Sequence, residues 1–183
     1  MKFHGWINVD KPKGLTSAKV TNIIKKALNA RVGHAGTLDP MASGVLPIAV
    51  GSATRLIEYL HLDDKSYEFT VDFGFETDCL DMEGEVIRRT ESLPEYEALK
   101  KAIGDFTGEI EQVPPQHSAI KIKGKKAYEL AREDQQVDLK VRKVLINNFS
   151  LLSVDANEDG RIKSAKFLCD CSKGTYIRSL ARD

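Results

Sequence analysis

The sequence predicts an α+β fold with a mixed, largely antiparallel sheet flanked by helices. Segments with apolar residues at strand spacing and segments with apolar residues at helical spacing both occur along the chain. They do not follow the regular strand–helix–strand order that a parallel α/β sheet requires. The length of 183 residues suits one domain with a core of its own.

The first third of the chain contains both kinds of segment, separated by a glycine-rich loop. Thr16 or Ser17 is expected to cap a helix, because Val20, Ile23 and Ile24 then follow at helical spacing. The predicted elements here are a strand over 6–9, this helix, a loop over 33–44, a strand over 45–50 and a short helix over 53–60.

The remaining two thirds contain more strands than helices. Apolar and polar residues alternate from Tyr67 to Phe75, which predicts a strand with one buried face. The other predicted elements are a helix from Ser92–Glu95 to about Phe106, a strand over 118–122, a helix over 126–132, a hairpin of 137–154 with 161–171, and a helix starting near Ser179.

The composition indicates a soluble globular protein, with 42% hydrophobic and 30% charged residues. No apolar run approaches a membrane span, and the first residues lack a secretory or organellar signal, so a cytoplasmic location is expected. Three cysteines argue against a disulfide framework. Cys169 and Cys171 should share one face of a strand as reduced structural thiols rather than as metal ligands.

The formal net charge is +0, so the bulk charge gives no argument for a nucleic-acid partner. A basic segment nevertheless carries Lys121, Lys123, Lys125 and Lys126, and acidic residues concentrate between Glu76 and Glu85. Solvated faces are the ordinary explanation of such clusters. The composition therefore permits RNA binding without requiring it.

Two segments could carry chemistry. The loop 31–44 contains three glycines together with His34 and Asp39, although Asp-Pro pairs are also common turn initiators. The segment 173–178 joins a strand to a helix, where backbone N–H groups can hold an anion and Arg178 could pair with a buried carboxylate. The ordinary alternative for Arg178 is an exposed arginine at a helix start, and for Tyr67 a core aromatic residue.

A series of motifs places these residues in a wider pattern. The motifs, in chain order, are Val9-Asp10-Lys11-Pro12-x-Gly14-x-Thr16-Ser17; Gly33-His34-x-Gly36-Thr37-Leu38-Asp39-Pro40 with Ala42-Ser43-Gly44-Val45-Leu46-Pro47; Lys65-x-Tyr67; Gly74-x-x-Thr77-Asp78-x-x-Asp81-x-x-Gly84; Gln116-x-Ser118-Ala119-x-Lys121-x-x-Gly124-Lys125-Lys126-x-Tyr128; and Cys171-Ser172-Lys173-Gly174-Thr175-Tyr176-Ile177-Arg178. This series resembles the TruB family of tRNA pseudouridine synthases over nearly the whole chain.

The resemblance implies the pseudouridine synthase fold and a reaction on tRNA. A uridine in the T-loop, usually uridine-55, would become pseudouridine after its nucleotide is flipped out of the loop. The reaction leaves the net oxidation state unchanged, and the resemblance implies no metal and no cofactor. Alternatives from other classes are an RNA-binding module without turnover and an enzyme that only cleaves the glycosidic bond.

The resemblance also implies the roles of individual residues. Asp39 would be the catalytic carboxylate, with the atom that it acts on left open, and Arg178 would pair with it. The other implied roles are stacking on the uracil and C5 deprotonation for Tyr67, lining of the uridine pocket for Tyr176, filling of the vacated space for His34, a contact with the base for Asp81, and phosphate contacts for Lys121, Lys123, Lys125 and Lys126.

The resemblance finally predicts how the chain is organised and what it binds. Residues 1–183 would form a catalytic domain that is truncated at its C-terminus, because the helix near Ser179 has no stop signal and family members continue further. A C-terminal RNA-binding domain would be absent. The T-arm of tRNA is the expected partner of a monomer, with no membrane and no protein partner implied.

Overall fold

The computed structural model describes residues 3–60, 63–122, 124–133, 135 and 137–183. The chain divides into two compact units, residues 1–61 and residues 62–183. Strands and helices occur in both units, and every strand pairing in the described ranges is antiparallel. The predicted α+β class is therefore confirmed.

The first unit is a small sheet packed against one helix. Its elements are β1 (Gly5–Lys11), α1 (Ser17–Leu28), β2 (Val32–His34), β3 (Gly44–Val50) and a 3₁₀ helix (Gly51–Tyr59). The strand order is β1-β3-β2, so β3 lies in the centre. Val20 of α1 packs on Leu46, Ile48 and Val50 of β3, and this cluster forms the core of the unit.

Two predictions for the first unit need correction. The segment predicted as a helix over 53–60 forms a 3₁₀ helix. The predicted loop 33–44 begins inside β2, where Gly33 pairs with Ala49 and His34 with Ile48. A strand of three residues has too few side chains to show alternation, so only its pairing with β3 defines it.

The second unit contains the larger sheet. Its elements are β4 (Asp64–Asp72), β5 (Phe75–Thr77), β6 (Val86–Arg89), α2 (Tyr96–Asp105), β7 (Gly108–Gln112), β8 (Lys121–Ile122), β9 (Lys125–Lys126), α3 (Ala127–Ala131), β10 (Arg142–Ala156), β11 (Ile162–Ser172) and α4 (Ile177–Arg182). The main sheet has the order β4-β11-β10-β7, and two small hairpins pair β5 with β6 and β8 with β9.

One face of the main sheet forms the core of the second unit. Alternate residues of β11 are buried there from Ala165 to Cys171. Leu99 of α2 packs near one end of this face, and Leu180 of α4 packs on Cys169 and Cys171 near the other end. Both helices therefore cover the same face, as period-2 burial along the strand requires.

The predicted strand over 67–75 is interrupted. β4 ends at Asp72, and Gly74 takes a left-handed backbone conformation with φ of 99° before β5 begins at Phe75. The Gly74 carbonyl then accepts a hydrogen bond from the N–H of Thr90, beside β6. Sequence patterns missed β6 and β7. Every residue of β6 is exposed and therefore shows no alternation, and β7 has only five residues.

Across the described residues, no helix combines the length and the apolar character needed to cross a membrane.

Substitution of Phe167 by alanine is expected to lower the free energy of unfolding by about 3–5 kcal/mol, because a buried aromatic ring is lost. Phe167 is 3% exposed and lies 5.5 Å from the Phe69 ring and 5.2 Å from the Phe149 ring, measured between centroids. Urea denaturation would measure the change. Leu152→Ala in β10 is the control, since Leu152 is 47% exposed and its loss should cost below about 0.5 kcal/mol. Equal losses in both variants would contradict this account of the core.

Candidate active site

The loop that carries Asp39 is held by its neighbours in the first unit. The Gly14 N–H donates to the Pro40 carbonyl at 2.8 Å, and the Ala35 N–H donates to the Pro47 carbonyl at 2.8 Å. The Asp39 carbonyl accepts a hydrogen bond from the Ala42 N–H at 3.1 Å. Asp39 itself is half-buried. The loop therefore has a defined backbone path although it belongs to neither strand.

A buried lysine adds a further tie to this loop. Lys11 is 0% exposed, and its ammonium donates hydrogen bonds to the carbonyls of Pro12 at 3.0 Å, Leu15 at 2.7 Å and Pro40 at 3.3 Å. A buried charge is costly unless polar groups compensate it, and an ammonium has three hydrogens to donate. The sequence motif contained Lys11, but no side-chain role followed from the motif alone.

Ser17 contacts the residue that directly precedes Asp39. Its hydroxyl donates to the Leu38 carbonyl at 3.0 Å and accepts from the Leu38 N–H at 3.0 Å. The sequence left open whether Thr16 or Ser17 caps α1. The structure assigns the cap to Thr16, whose side chain accepts a hydrogen bond from the Lys19 N–H at 3.0 Å.

His34 lies at the end of β2 and is half-buried. Its Nδ1 is hydrogen-bonded to the Gly36 carbonyl. A carbonyl oxygen can only accept, so the ring donates from Nδ1 in this contact. The role that the sequence predicted for His34, to fill space in the RNA loop, stays a prediction.

Arg178 lies in α4 of the second unit and is mostly buried. Its Nη1 donates to the Cys79 carbonyl at 2.8 Å, and its Nη2 donates to the His117 carbonyl at 2.9 Å. Nη1 also lies 3.7 Å from the Asp81 carboxylate, with side chains 14% and 10% exposed respectively. The alternative of an exposed arginine is therefore wrong. The pairing of Arg178 with Asp39 stays a prediction.

The turn between β5 and β6 is organised by its two aspartates. The Asp78 carboxylate accepts from the N–H groups of Cys79 at 2.8 Å and Glu85 at 3.0 Å. The Asp81 carboxylate accepts from the N–H of Glu83 at 2.9 Å and from the Cys79 thiol at 2.9 Å. The sequence predicted that Asp81 contacts the base. The structure shows its contacts with this turn and with Arg178, and the contact with the base stays a prediction.

Gly84 closes this turn tightly. A Cβ atom at this position would lie 2.2 Å from the Asp78 carboxylate and 2.4 Å from the Cys79 sulfur. These distances are far below van der Waals contact, so any side chain at this position would force Asp78 and Cys79 to shift. The glycine that the motif contains therefore has a packing reason, which the sequence pattern did not reveal.

Tyr67 and Tyr176 occupy different surroundings in the second unit. Tyr67 lies on β4, opposite Cys169 of β11, and its half-buried ring packs with the core cluster that includes Leu180. Tyr176 precedes α4, and the amide side chain of Gln112 binds both its N–H at 2.8 Å and its carbonyl at 3.1 Å. Gln112, which sequence reasoning missed, is 2% exposed and fixes the start of the helix that carries Arg178.

The basic segment forms the β8–β9 hairpin and the start of α3. Lys121 and Lys125 are exposed, and Lys125 pairs with Glu133 at 3.5 Å. The Lys126 ammonium lies 5.2 Å from the centroid of the Tyr128 ring and donates to its hydroxyl at 3.2 Å. Lys123, the fourth predicted phosphate contact, lies outside the described residues.

The structure contains all three cysteines as free thiols, and two of them are fully buried. Cys169 and Cys171 are both 0% exposed on the same face of β11. A hydrogen bond with Cys171 and burial raise the pKa of Cys169. Burial and the hydrogen bond to Asp81 raise the pKa of Cys79 to about 11. Within the described ranges, no group of three or more His, Cys, Asp or Glu side chains is placed to hold a metal ion.

A shallow depression of about 650 Å³ lies in the first unit and is lined by Arg31 and residues 54–59. It contains none of the residues that the sequence predicted for the site.

Comparison with models of protein families shows which family this chain belongs to. The model of the N-terminal domain of TruB family pseudouridylate synthases matches residues 24–177. The chain belongs to the TruB family. This match covers the loop of Asp39, the strand of Tyr67, the turn of Asp81 and the tyrosine before α4. The family resemblance inferred from the motifs is therefore confirmed.

Curated relatives of this TruB family chain are similar along almost all of its length. A tRNA pseudouridine synthase B of Wolbachia pipientis is 46% identical over 98% of this chain and 50% of its own length. That of Ehrlichia chaffeensis is 47% identical over 98% of this chain and 60% of its own length. The chain thus spans about half the length of the curated relatives that it matches.

Solved structures confirm the pseudouridine synthase fold of this TruB family chain. A Cbf5-Nop10-Gar1 complex contains a chain with a TM-score of 0.67 and 30% identity, covering 98% of this chain and 43% of that one. An H/ACA RNP bound to a substrate RNA containing 2'-deoxyuridine gives a TM-score of 0.65 and 28% identity, covering 97% of this chain and 40% of that one.

Substitution of Asp81 by asparagine is expected to speed the alkylation of Cys79 by iodoacetamide at pH 9. Burial and Asp81 raise the pKa of Cys79 to about 11, so about 1% of the thiol is ionised at this pH. Loss of the carboxylate removes a charge that opposes the thiolate, lowers the pKa and raises the reactive fraction. Mass spectrometry of the peptide that contains Cys79 would follow the rate.

Glu83→Gln provides the control for this experiment. It removes a carboxylate from the same turn without being among the causes of the raised pKa of Cys79. The alkylation rate of Cys79 should therefore stay close to that of the unsubstituted chain. Equal rates in the Asp81→Asn and Glu83→Gln variants would show that the Asp81 carboxylate does not control the thiol.

Proposed function

We propose that this chain catalyses the isomerisation of uridine to pseudouridine in tRNA, at uridine-55 of the T-loop. The observation that carries the proposal is the Asp39 loop, whose backbone is fixed on both sides of the carboxylate. Membership of the TruB family supports it, as do relatives named tRNA pseudouridine synthase B that are similar over 98% of this chain.

The proposed reaction exchanges one bond of the ribose for another. The bond from C1′ to N1 of the uracil breaks, the base turns over, and C1′ joins C5. The hydrogen on C5 leaves as a proton, and N1 gains a proton, so product and substrate have the same atoms and the same oxidation state. A carboxylate and a closed site that retains the detached uracil are what this chemistry requires.

Asp39 is proposed as the carboxylate that acts on the nucleotide. A carboxylate must be ionised and correctly oriented to act as a nucleophile or as a base. The held backbone on each side of Asp39 supports the orientation, because the rotamers that a side chain can adopt depend on the main-chain conformation.

Arg178 is proposed as the second catalytic residue. Its guanidinium is already oriented by the carbonyls of Cys79 and His117 and by the Asp81 carboxylate. A fixed cation lowers the pKa of a nearby carboxyl group and so favours its ionised form. Because the Arg178 side chain is oriented before RNA binds, it loses little rotamer entropy during the reaction.

The remaining site residues are proposed to handle the flipped nucleotide. Tyr67 stacks on the uracil and takes part in removing the C5 proton, and Tyr176 lines the uridine pocket. His34 fills the space that the base leaves in the RNA loop, and Asp81 contacts the base. Flipping costs a few kcal/mol of lost stacking, which such contacts must offset.

The β8–β9 hairpin is proposed to hold the phosphates of the T-arm through Lys121, Lys123, Lys125 and Lys126. Lys121 and Lys125 are exposed, as phosphate-binding side chains must be. Lys126 lies over the Tyr128 ring, which restricts its ammonium to a smaller region. Contacts with phosphates position an RNA without reading its sequence.

Substitution of Asp39 by asparagine is expected to reduce pseudouridine formation by at least about 1,000-fold, because a neutral amide of the same shape cannot act as the carboxylate. Release of tritium from uridine C5 of an unmodified tRNA transcript would measure the rate. Binding of tRNA should remain within about two-fold, since the lysines that meet the phosphates are unchanged. Glu58→Gln, an exposed carboxylate of the first unit, is the control and should retain full activity.

The same assay separates the alternatives. Tritium release that persists in the Asp39→Asn variant would contradict the proposed role of Asp39. Free uracil and an abasic tRNA from the unsubstituted chain would indicate cleavage of the glycosidic bond alone. Binding of tRNA without any tritium release would indicate an RNA-binding module.

Combined substitution of Lys121, Lys125 and Lys126 by alanine is expected to weaken tRNA binding and to make it less dependent on salt. The slope of log affinity against log salt should become shallower by about 0.7–0.9 for each phosphate that no longer meets a lysine. Filter binding over a range of salt concentrations would measure both quantities. Alanine at Lys100, Lys101 and Lys163 removes the same charge from exposed positions elsewhere in the second unit and is the control. Identical slopes for both triple variants would contradict the assignment.

A further inference from the structure

We infer that Ser17 is a positioning residue for Asp39, which it restrains through the backbone of Leu38. The inference rests on the proposed function, since it matters for catalysis only if Asp39 is the catalytic carboxylate. The hydroxyl of Ser17 bonds to the main chain beside Asp39 rather than to the carboxylate, so its effect on the reaction is indirect.

The hydroxyl of Ser17 takes the place of a neighbouring strand. It donates to the Leu38 carbonyl at 3.0 Å and accepts from the Leu38 N–H at 3.0 Å. A serine hydroxyl can do both at once, because it has one hydrogen and two lone pairs. In an antiparallel sheet, a residue of the next strand supplies these two bonds. Here a single buried side chain, 2% exposed, supplies them instead.

The helix does not need this hydroxyl for its own stability. Thr16 is the N-cap of α1, and its side chain accepts the hydrogen bond from the Lys19 N–H at 3.0 Å. Ser17 is the first residue inside the helix. Its carbonyl accepts a hydrogen bond from the Thr21 hydroxyl at 2.8 Å, while its own hydroxyl bonds to Leu38 of the loop. The two adjacent hydroxyls therefore have separate tasks.

The restrained peptide group adjoins the candidate catalytic residue. The Leu38 carbonyl and the Asp39 nitrogen belong to one planar unit, so fixing the carbonyl fixes the plane from which Asp39 starts. On the other side, the Pro40 ring limits the backbone of Asp39 to extended conformations. The Pro40 carbonyl is then held by the Gly14 N–H at 2.8 Å and by Lys11 at 3.3 Å. Removal of the Ser17 hydroxyl would free the backbone on the Leu38 side of Asp39, while the Pro40 side stays held.

Ser17→Ala tests this role, with Thr21→Ala as the matched control. Both substitutions remove a buried hydroxyl from α1, but the Thr21 hydroxyl bonds to the backbone of its own helix, at the Ser17 carbonyl. Initial rates of tritium release from unmodified tRNA would give kcat and KM at a temperature where both variants are folded. We expect kcat to fall about 10- to 100-fold in Ser17→Ala, with KM changed less than about two-fold. Thr21→Ala should keep kcat within about two-fold.

Ser17→Cys provides a graded variant. Its thiol is larger than the hydroxyl and forms weaker hydrogen bonds, so kcat should lie between the values for serine and alanine. Hydrogen exchange gives a readout that does not depend on activity. The Leu38 amide should exchange faster in Ser17→Ala than in Thr21→Ala, because only the first variant loses its acceptor.

The outcomes separate this inference from the proposed function. An unchanged kcat in Ser17→Ala, a similar fall in Thr21→Ala, or a change in KM alone would overturn the role of Ser17. If Asp39→Asn is inactive while Ser17→Ala is fully active, only the inference fails. If Asp39→Asn is as active as the unsubstituted chain, the proposed role of Asp39 fails and the inference falls with it. If the unsubstituted chain releases no tritium, the proposed function itself fails.

Discussion

A loop that leaves a sheet still carries backbone N–H and carbonyl groups that need hydrogen-bond partners, and this need shapes both units. Three polar side chains meet it in the same way, each binding the N–H and the carbonyl of one loop residue. The pairs are Ser17 with Leu38, Gln112 with Tyr176, and Gln116 with Val137. Each of these side chains makes the two hydrogen bonds that a residue of a neighbouring strand would make in a sheet. The segments beside them therefore keep a fixed path without belonging to a sheet.

Backbone carbonyls of the loops that lie close together receive hydrogen bonds from charged side chains. Lys11 donates to three carbonyls in the first unit, and Arg178 donates to two in the second unit. Hydrogen bonds from a charged donor are stronger than those between neutral groups, so few of them suffice to order a loop. In the second unit the Asp81 carboxylate adds the opposite charge and also binds the Cys79 thiol. One turn thus controls both the orientation of an arginine and the acidity of a thiol.

Sequence patterns predicted the longer elements that have a clear period and missed short strands. The helix after Thr16, the strand of Tyr67 and the long hairpin follow from the spacing of apolar residues. β2 and β6 do not, because one has three residues and the other is exposed throughout. The motif series identified the residues of the candidate site, yet it gave no partner for Asp81 and no carbonyl partners for Arg178. Such partners depend on which loops meet in space, and a linear pattern contains no such information.

The order of strands in the second unit has a consequence for synthesis of the chain. β4 lies at the edge of the main sheet and pairs there with β11. Lys65 pairs with Cys171, which the ribosome adds more than a hundred residues later. At ribosomal rates this delay lasts roughly 5 to 20 seconds, during which the nascent strand has no sheet partner. All of its outward residues are exposed, and three of the five, Asp64, Glu68 and Asp72, are acidic. Like charges on an unpaired strand disfavour its pairing with the same strand of a second chain. The polar face of β4 therefore protects the nascent chain from aggregation.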